Sequence, residues 1–343
     1  MGFRDRFKIS TVKVLAIDGG GIRGIVPALI LAWIEEQLAG RQRKKRLCDV
    51  FDVMAGTSTG GLIVLGLSSP GAGDGKRRDK EPVVSARELA ALYREKGTLI
   101  FPPRRYPLRT GLLQAFKHKY DDNALRGLLE ELFRDVTLKE AFTNVLVTSY
   151  DTENREPRFF KKRPPLSEYE DDLNFYVKDV ARATIAAPAY FSPACISPLP
   201  ARGRSFSLVD GGIFANNPAL NAYIEARKLF PRASRYLVVS LGTGVAEKSY
   251  THKEIHDWGY MEWMSPFKGL PLLDMMMDGQ SDSTNHMLSR LPGVELYRFD
   301  FQLAEKHRFM DDAGEENLDY LCAAARKLLE VEGERLAELC DRL

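Results

Sequence analysis

Two strand–turn–helix units follow one another near the start of the chain, and they constrain the fold more than any other feature of the sequence. Residues 12–17 are apolar, rich in β-branched side chains and end in glycines, and residues 24–38 repeat apolar side chains at helical spacing. Residues 51–55 and 62–67 repeat this order around a second glycine-rich turn. Such a repetition predicts an α/β protein with a mainly parallel central sheet.

The rest of the chain continues the alternation of strands and helices. We predict strands at 144–149, 206–209 and 236–241, and helices at 85–96, 123–133, 175–186, 217–229 and 314–343. Residues 68–81 are rich in Gly, Pro and charge, which is typical of a surface loop. With no repeat or linker, we expect one domain over 1–343, with a motif-bearing part at about 12–245 and a helical part at about 250–343.

Charge and cysteine content exclude several classes of protein. The 343 residues hold 49 Lys and Arg against 47 Asp and Glu, a formal net charge of +2, which argues against a nucleic-acid polymer as partner. The four cysteines lie far apart without the spacing of metal ligands, so we expect reduced thiols and no metal site. The sequence shows no targeting segment and no apolar stretch of about 20 residues, so a cytoplasmic location is expected.

The clearest chemical signal is Gly56-Thr57-Ser58-Thr59-Gly60, which matches G-x-S-x-G and lies between the second strand and its helix. A serine in such a sharp turn projects its hydroxyl clear of the sheet, and the flanking Gly56 and Gly60 allow close packing around it. We therefore predict that Ser58 is a nucleophile. The alternative is an ordinary strand-to-helix turn with a capping serine.

A second glycine-rich turn, Asp18-Gly19-Gly20-Gly21-Ile22-Arg23-Gly24, follows the first strand. It matches G-x-G-x-x-G, but a dinucleotide site also needs an acidic residue about 20 positions later, where this chain has a helix and the basic run 41–46. Successive N–H groups at a helix N-terminus favour a cradle for an oxyanion, with Arg23 as a positive charge beside it.

A nucleophilic serine needs a base. The five histidines do not follow glycine-bounded strands; they are His118, His252, His256, His286 and His307. Asp210 ends a predicted buried strand and is followed by Gly211 and Gly212, which let another backbone or a substrate approach closely. We predict that Asp210 accepts the Ser58 proton directly, and the alternative is an aspartate that caps the following turn.

In this order and spacing, the segments DGGGIRG, GTSTGG and LVDGG resemble the patatin-like lipid acyl hydrolases. Further segments similar to plant patatins are FDVMAGTSTGG, AAPAYFSP, SLGTG, YTHKEIHDWGYMEWM and MDDAGEENLDYL. Each motif alone is weak evidence, but the combination is specific, and the resemblance runs from about residue 12 to the last helix.

The resemblance implies a three-layer α/β/α sandwich and a phospholipase A or lysophospholipase activity that needs no metal and no cofactor. Mapped onto this sequence, it implies a dyad of Ser58 and Asp210. The implied oxyanion hole consists of Gly19, Gly20, Gly21, Ile22, Arg23 and Gly24. The implied supporting glycines are Gly56, Gly60, Gly211 and Gly212. The oligomeric state is left open.

Two features bear on the expected partners. Residues 258–277 hold two of the three tryptophans and five of the nine methionines, which suits contact with membrane phospholipid at the inner face of the membrane or, alternatively, core packing. The basic residues at 41–46 and a second cluster favour anionic headgroups, or form a solvated face. That cluster is Arg104, Arg105, Arg109, Lys117 and Lys119.

In lacking a signal peptide, the chain resembles cytosolic bacterial patatin-like enzymes that act in antiphage defence and are activated by a cyclic dinucleotide. The resemblance therefore also implies a cyclic dinucleotide activator as a hypothesis. Two alternatives to a hydrolase stay open at this point. One is a lipid- or nucleotide-binding module with a vestigial site, and the other is a nicotinamide-dependent oxidoreductase.

Overall fold

The computed structural model describes residues 11–40, 46–71, 80–102, 118–162, 173–201, 203–247, 249–265 and 268–343. The strands are β1 (Thr11–Ile17), β2 (Val53–Thr57), β3 (Asn144–Asp151), β4 (Glu156–Lys162), β5 (Ala194–Ile196), β6 (Phe206–Asp210), β7 (Arg235–Leu241), β8 (Val245–Ala246), β9 (Val294–Phe299) and β10 (Gln302–Leu303).

Helices connect and flank these strands. The α-helices are α1 (Ile25–Gly40), α2 (Leu47–Val50), α3 (Thr59–Ser68), α4 (Ala86–Ile100), α5 (Asn123–Phe133), α6 (Val177–Thr184), α7 (Gly212–Ala215), α8 (Ala219–Leu229), α9 (His252–Ile255), α10 (Tyr260–Trp263), α11 (Pro271–Leu288), α12 (Glu315–Val331) and α13 (Gly333–Arg342). Short 3-10 helices lie at Gly21–Gly24, Leu138–Glu140 and Glu305–His307.

The central sheet has the strand order β5-β6-β3-β2-β1-β7-β9, and β4 also pairs with β3. The strands from β3 to β9 in this order run parallel to one another. At the other end, β4 and β6 pair with β3 in the antiparallel direction, and β5 pairs likewise with β6. The sheet is therefore mainly parallel, as predicted.

Both faces of the sheet are covered by helices. Leu15 and Ile17 of β1 belong to one apolar cluster, with side chains of α1, α3, α4 and α12. Val14 and Ala16, which alternate with them, belong to a second cluster with side chains of α8 and with Leu288 of α11. Because neighbouring side chains of a strand point to opposite faces, this division gives the three-layer α/β/α sandwich that the resemblance implies.

The structure corrects the expectation for the C-terminal part. The stretch predicted as helical contributes strand β9, which extends the main sheet beside β7. In its sequence VELYRF only Tyr297 and Phe299 are buried, so its pattern is not that of a buried strand. The predicted helix at 314–343 is two helices, not one, since α12 ends at Val331 and Gly333, a poor helix former, begins α13.

The helix predicted at 123–133 is found with the same ends, and the other predicted elements are found with shifted ends. Strands β4, β5, β8 and β10 were not predicted. Residues 72–79 of the predicted surface loop lie outside the described residues. No helix in the described parts of the chain is both long enough and apolar enough to span a bilayer.

Candidate active site

Ser58 occupies a strained turn between β2 and α3. Its backbone angles are φ 55° and ψ −122°, outside the regions that serine ordinarily adopts. The turn is possible because Gly56 and Gly60 carry no side chain: a Cβ on Gly56 would lie 2.2 Å from the Gly60 carbonyl oxygen, and one on Gly60 would lie 2.2 Å from the Ile17 carbonyl oxygen. The Ser58 N–H donates to Thr184 Oγ1 at 2.8 Å, which fixes the turn against α6.

The register of the sheet brings Asp210 to the level of Ser58. Thr57 of β2 pairs with Thr148 of β3, and the next residue of β3, Ser149, pairs with Asp210 at the end of β6. Only β3 separates the two strands that carry these residues. The structure therefore places Ser58 and Asp210 near one another, and both line the same cavity.

Asp210 is 5% exposed and is an unusually basic carboxylate. Its pKa is raised to about 6, mainly because the carboxylate is buried. An interaction with the Ser58 hydroxyl and a hydrogen bond from the Gly212 N–H lower the pKa but do not outweigh burial. The Gly212 N–H donates to Asp210 Oδ1 at 2.8 Å. Gly211 lets this turn lie against β3, since a Cβ there would be 2.2 Å from Thr148 Oγ1. Asp210 is thus held in place and poised to accept a proton near neutral pH.

The glycine-rich loop after β1 presents two backbone donors beside Ser58. The Gly19 N–H donates to the Asn216 carbonyl at 3.1 Å, the Ile22 N–H to the Met310 carbonyl at 2.8 Å and the Arg23 N–H to the Gly20 carbonyl at 3.2 Å. Within the described residues, the N–H groups of Gly20 and Gly21 have no such acceptor. Both residues line the cavity at Ser58. The loop therefore presents the N–H groups of Gly20 and Gly21 to the cavity. The N–H groups of Gly19, Ile22 and Arg23 form hydrogen bonds that hold the shape of the loop.

The Arg23 side chain contacts the glycine-rich loop from the side of a neighbouring pocket. It is 8% exposed and lines a separate pocket, the charged compartment, together with Arg298, Arg308, Asp274 and Asp278. Its Nε donates to the Gly20 carbonyl at 3.3 Å, so its role at the loop is to fix the backbone. The pKa of Asp274 in this compartment is raised to about 6 because the carboxylate is buried, although the positive charges of Arg23 and Arg308 lower it.

Ser58 lines two apolar cavities. The outer chamber contains Ser58 and Asp210, and its apolar lining includes Tyr190, Phe191, Ile213, Leu273, Met277 and Met310. The inner chamber contains Ser58 and Thr59, and its lining from α4 and α5 includes Leu92, Tyr93, Ile100, Leu125, Leu128 and Leu132. Phe101 and Ile185 line both chambers. Long apolar groups can therefore lie next to Ser58 in this site.

The structure does not bring a histidine to Ser58. None of the five histidines, all of which are described, lines either chamber. His307, the buried one, interacts with Asn317 Oδ1 at 2.8 Å and stacks on Tyr320. In the described parts of the chain, no group of three or more His, Cys, Asp or Glu side chains is arranged to hold a metal ion.

Most of the basic residues singled out in the sequence lie outside the described residues, namely those at 41–45, 104, 105, 109 and 117. Of the remaining two, Arg46 pairs with Asp49 at 2.6 Å and Lys119 pairs with Asp311. In the 258–277 stretch, α10 contains no buried residue, while Leu273 and Met277 of α11 line the outer chamber. This stretch is therefore not a core segment.

Sequence reasoning missed several residues that shape the site. Asn216 lines the outer chamber and the charged compartment, Thr184 holds the Ser58 backbone, and Thr243 Oγ1 donates to the Gly19 carbonyl at 2.6 Å. Met310 accepts the Ile22 N–H. Thr243 and Met310 belong to the SLGTG and MDDAGEENLDYL segments that carry the resemblance, but a one-dimensional motif does not show which loop it contacts.

Several known proteins are similar to this chain over most of its length. Patatin-like protein 2 of Oryza sativa subsp. indica is 34% identical over 352 residues, which cover 94% of this chain and 85% of that protein. Patatin-like protein 2 of Arabidopsis thaliana is 32% identical over 93% of this chain and 83% of its own length. Probable inactive patatin-3-Kuras 1 of Solanum tuberosum is 33% identical over 74% and 69%.

Among solved structures, VipD from Legionella pneumophila aligns over 94% of this chain and 67% of its own with 11% identity and a TM-score of 0.34. A profile of the family described as patatin-like phospholipase matches residues 15–223, which include both glycine-rich turns and Asp210. With this match and relatives at 32–34% identity over most of its length, the chain belongs to the patatin-like phospholipase family, and this membership supports lipid acyl hydrolase activity.

Proposed function

We propose that this protein cleaves the fatty-acyl esters of membrane phospholipids through a dyad of Ser58 and Asp210. The observation that carries this proposal is that Ser58, in its strained turn, and the buried Asp210 carboxylate line the same apolar chamber. A binding module with a vestigial site has no need for a strained serine, a nearby base and two free backbone donors in one place.

The reaction follows from this geometry. Ser58 Oγ attacks the ester carbonyl carbon while its proton passes to Asp210. The N–H groups of Gly20 and Gly21 stabilise the negative oxygen of the tetrahedral intermediate. The intermediate then breaks the bond to the alcohol, which takes the proton from Asp210. A water molecule next attacks the acyl-serine and gives a proton to Asp210, and release of the fatty acid restores the Ser58 hydroxyl.

Two surface features support a phospholipid at a membrane as the substrate. Beside the residues of α11 that line the outer chamber, Leu272, Met275 and Met276 are exposed by 41%, 45% and 48%, and on α10 Tyr260 and Met261 are exposed by 77% and 76%. Large exposed apolar side chains next to a cavity are typical of a membrane-contact surface. The adjoining charged compartment suits a polar headgroup.

Activation by a cyclic dinucleotide stays a prediction, as does a role in antiphage defence at the inner face of the membrane. The basic residues on which the nucleotide hypothesis depends lie mostly outside the described residues. The test is fatty-acid release from vesicles with and without a panel of cyclic dinucleotides. A gain in release with one of them supports the hypothesis, and no change in release or melting temperature contradicts it.

The direct test of the dyad uses vesicles of phosphatidylethanolamine and phosphatidylglycerol. We expect the unmodified protein to release fatty acid and Ser58→Ala to lose at least about 10³-fold of this rate, because the covalent step is removed. A fluorophosphonate probe should label Ser58, as located by mass spectrometry of the digested protein. Ser205→Ala, at an exposed serine, is the matched control and should retain both release and labelling. Release that survives Ser58→Ala would contradict the mechanism.

The pH dependence reports on Asp210. The base must be ionised, and burial raises its pKa to about 6, so we expect kcat/KM to fall as the pH drops through about 6 and to level off above it. The rate of hydrolysis of a soluble p-nitrophenyl ester between about pH 5 and about pH 8 measures this profile. Asp179→Asn removes another carboxylate whose pKa is raised by burial, on α6, and should leave the profile unchanged.

A further inference from the structure

We propose that the preferred substrate has two acyl chains: the chain that is cleaved lies in the inner chamber, and the chain that stays on the leaving lipid lies in the outer chamber. This inference rests on the proposed acyl hydrolase function and adds which chain goes where. It makes a diacyl glycerophospholipid, and not a lysophospholipid, the substrate that fills the site.

Both chambers lie next to the proposed nucleophile. Ser58 lines each of them, and Phe101 and Ile185 stand between them. A single ester bound at Ser58 therefore has two apolar spaces available to it, one on each side.

The two chambers differ chemically beside Ser58. Asp210 lines the outer chamber but not the inner one. When the tetrahedral intermediate breaks, the leaving oxygen must receive the proton that Asp210 holds, so the leaving group lies on the side of Asp210. The acyl chain that remains on Ser58 is then directed to the other side, into the inner chamber.

The lining of the inner chamber suits a fatty-acyl chain. Apart from Thr59 and the Tyr93 hydroxyl, its side chains from α3, α4 and α5 are aliphatic or aromatic, and those of Leu125 and Leu128 are buried. The Tyr93 hydroxyl is bonded to Thr59, so it presents no unpaired polar group to a ligand. Burial of each methylene in such a space is favourable, which makes long chains better substrates than short ones.

The outer chamber lies next to the charged compartment. Asn216 and Met277 line both of them, and Arg23, Arg308 and Asp274 lie on the charged side. A leaving lysophospholipid carries both an acyl chain and a charged headgroup. The outer chamber with its charged neighbour matches that pair of groups, whereas a lysophospholipid substrate would leave the apolar part of the outer chamber unfilled.

The inner chamber is tested with p-nitrophenyl esters, whose leaving group is constant. We expect Leu92→Trp to lower the ratio of kcat/KM for the palmitate ester to that for the butyrate ester at least about tenfold, because the indole fills the chamber on α4. Leu99→Trp, on the same helix but 53% exposed, is the matched control and should keep the ratio of the unmodified protein. Leu92→Phe replaces Leu92→Trp if the latter melts at a much lower temperature.

The outer chamber is tested with the leaving group. In mixed micelles, we expect Leu273→Trp to lower hydrolysis of phosphatidylcholine relative to lysophosphatidylcholine at least about fivefold, because the indole takes the place of the second chain. The ester-length ratio from the first experiment should not move. Met287→Trp, at a position on α11 that is 42% exposed, is the control and should keep both ratios.

The outcomes separate this inference from the proposed function. If the unmodified protein hydrolyses neither p-nitrophenyl ester nor phospholipid, the acyl hydrolase function itself is wrong. If it hydrolyses them but Leu92→Trp and Leu273→Trp change the ratios no more than their controls do, the two-chamber assignment is wrong. An exchange of the two effects, with Leu273→Trp changing the ester-length ratio, would reverse the assignment and so overturn it.

Discussion

Asp210→Asn should abolish fatty-acid release and at the same time stabilise the folded protein above pH 6. The loss of activity, at least about 10²–10⁴-fold, follows from removal of a positioned base. The gain in stability follows from burial, because an ionised carboxylate that is 5% exposed is costly to fold and an amide of the same shape is not.

The sign of the pH dependence follows from the pKa of Asp210. It is about 6 in the folded protein and 3.8 for an ordinary aspartate, so the unfolded chain loses this proton at lower pH than the folded protein does. Asp210 therefore stabilises the fold at low pH, and this contribution is lost as the pH rises from about 3.8 to about 6. The shift corresponds to a difference on the order of 2–3 kcal/mol in the free energy of unfolding.

Melting curves of the two proteins across this pH range measure the effect. The difference in melting temperature should be largest above pH 6 and shrink as the pH is lowered towards 4. Asp257→Asn is the control, since the Asp257 side chain is 96% exposed, and it should change neither activity nor melting temperature. Retained activity, or a lower melting temperature above pH 6, would show that Asp210 is a structural turn residue.

Gly21→Ala should reduce kcat on the order of 10²–10³-fold, the usual cost of losing one oxyanion donor. Gly21 has φ +58°, a conformation that favours glycine, and a Cβ there would lie 2.2 Å from the Met310 carbonyl oxygen. That carbonyl belongs to the backbone and also accepts a hydrogen bond from the Ile22 N–H. The loop must therefore shift, and the N–H donors of Gly20 and Gly21 shift with it.

Gly127→Ala provides the matched control for this prediction. Gly127 lies in α5, and a Cβ added there meets nothing within 4 Å. Because alanine favours a helix over glycine by about 1 kcal/mol, this variant should keep its kcat and melt at a slightly higher temperature. Steady-state kinetics and melting curves of the two variants make the comparison. Normal kcat in Gly21→Ala would show that these N–H groups do not bind the oxyanion.

Much of the fold was predictable because its evidence is local. Each strand–turn–helix unit is one continuous stretch of the chain, and the pattern around Ser58 needs only β2, the turn and α3. The choice of Asp210 as the partner of Ser58 came from residue types and from the motif resemblance, and strand direction does not explain it. Because β6 runs antiparallel to β3, its carboxyl end comes level with Ser58 only through its register on β3, which the sequence does not show.

Other parts depend on contacts that no local pattern records. The direction of the Arg23 side chain is set by its Nε contact with Gly20 and by the position of Asp274 and Asp278, which come from the far end of the chain. Which loop N–H groups stay free depends on the carbonyls of Asn216 and Met310. The chambers are spaces between helices, and a sequence shows the helices but not the gaps between them.

The bond from the Ile22 N–H to the Met310 carbonyl has a consequence for how activity arises during synthesis. Ser58, Asp210 and the glycine-rich loop all leave the ribosome long before residue 310, and so does most of the sheet. Because a chain is made from its N-terminus, the loop gains its last fixed neighbour only when this late segment emerges and folds back onto the first strand's turn. A nascent chain that has not yet reached residue 310 therefore carries Ser58, Asp210 and the glycine-rich loop, but the loop still lacks the carbonyl that holds its Ile22 N–H.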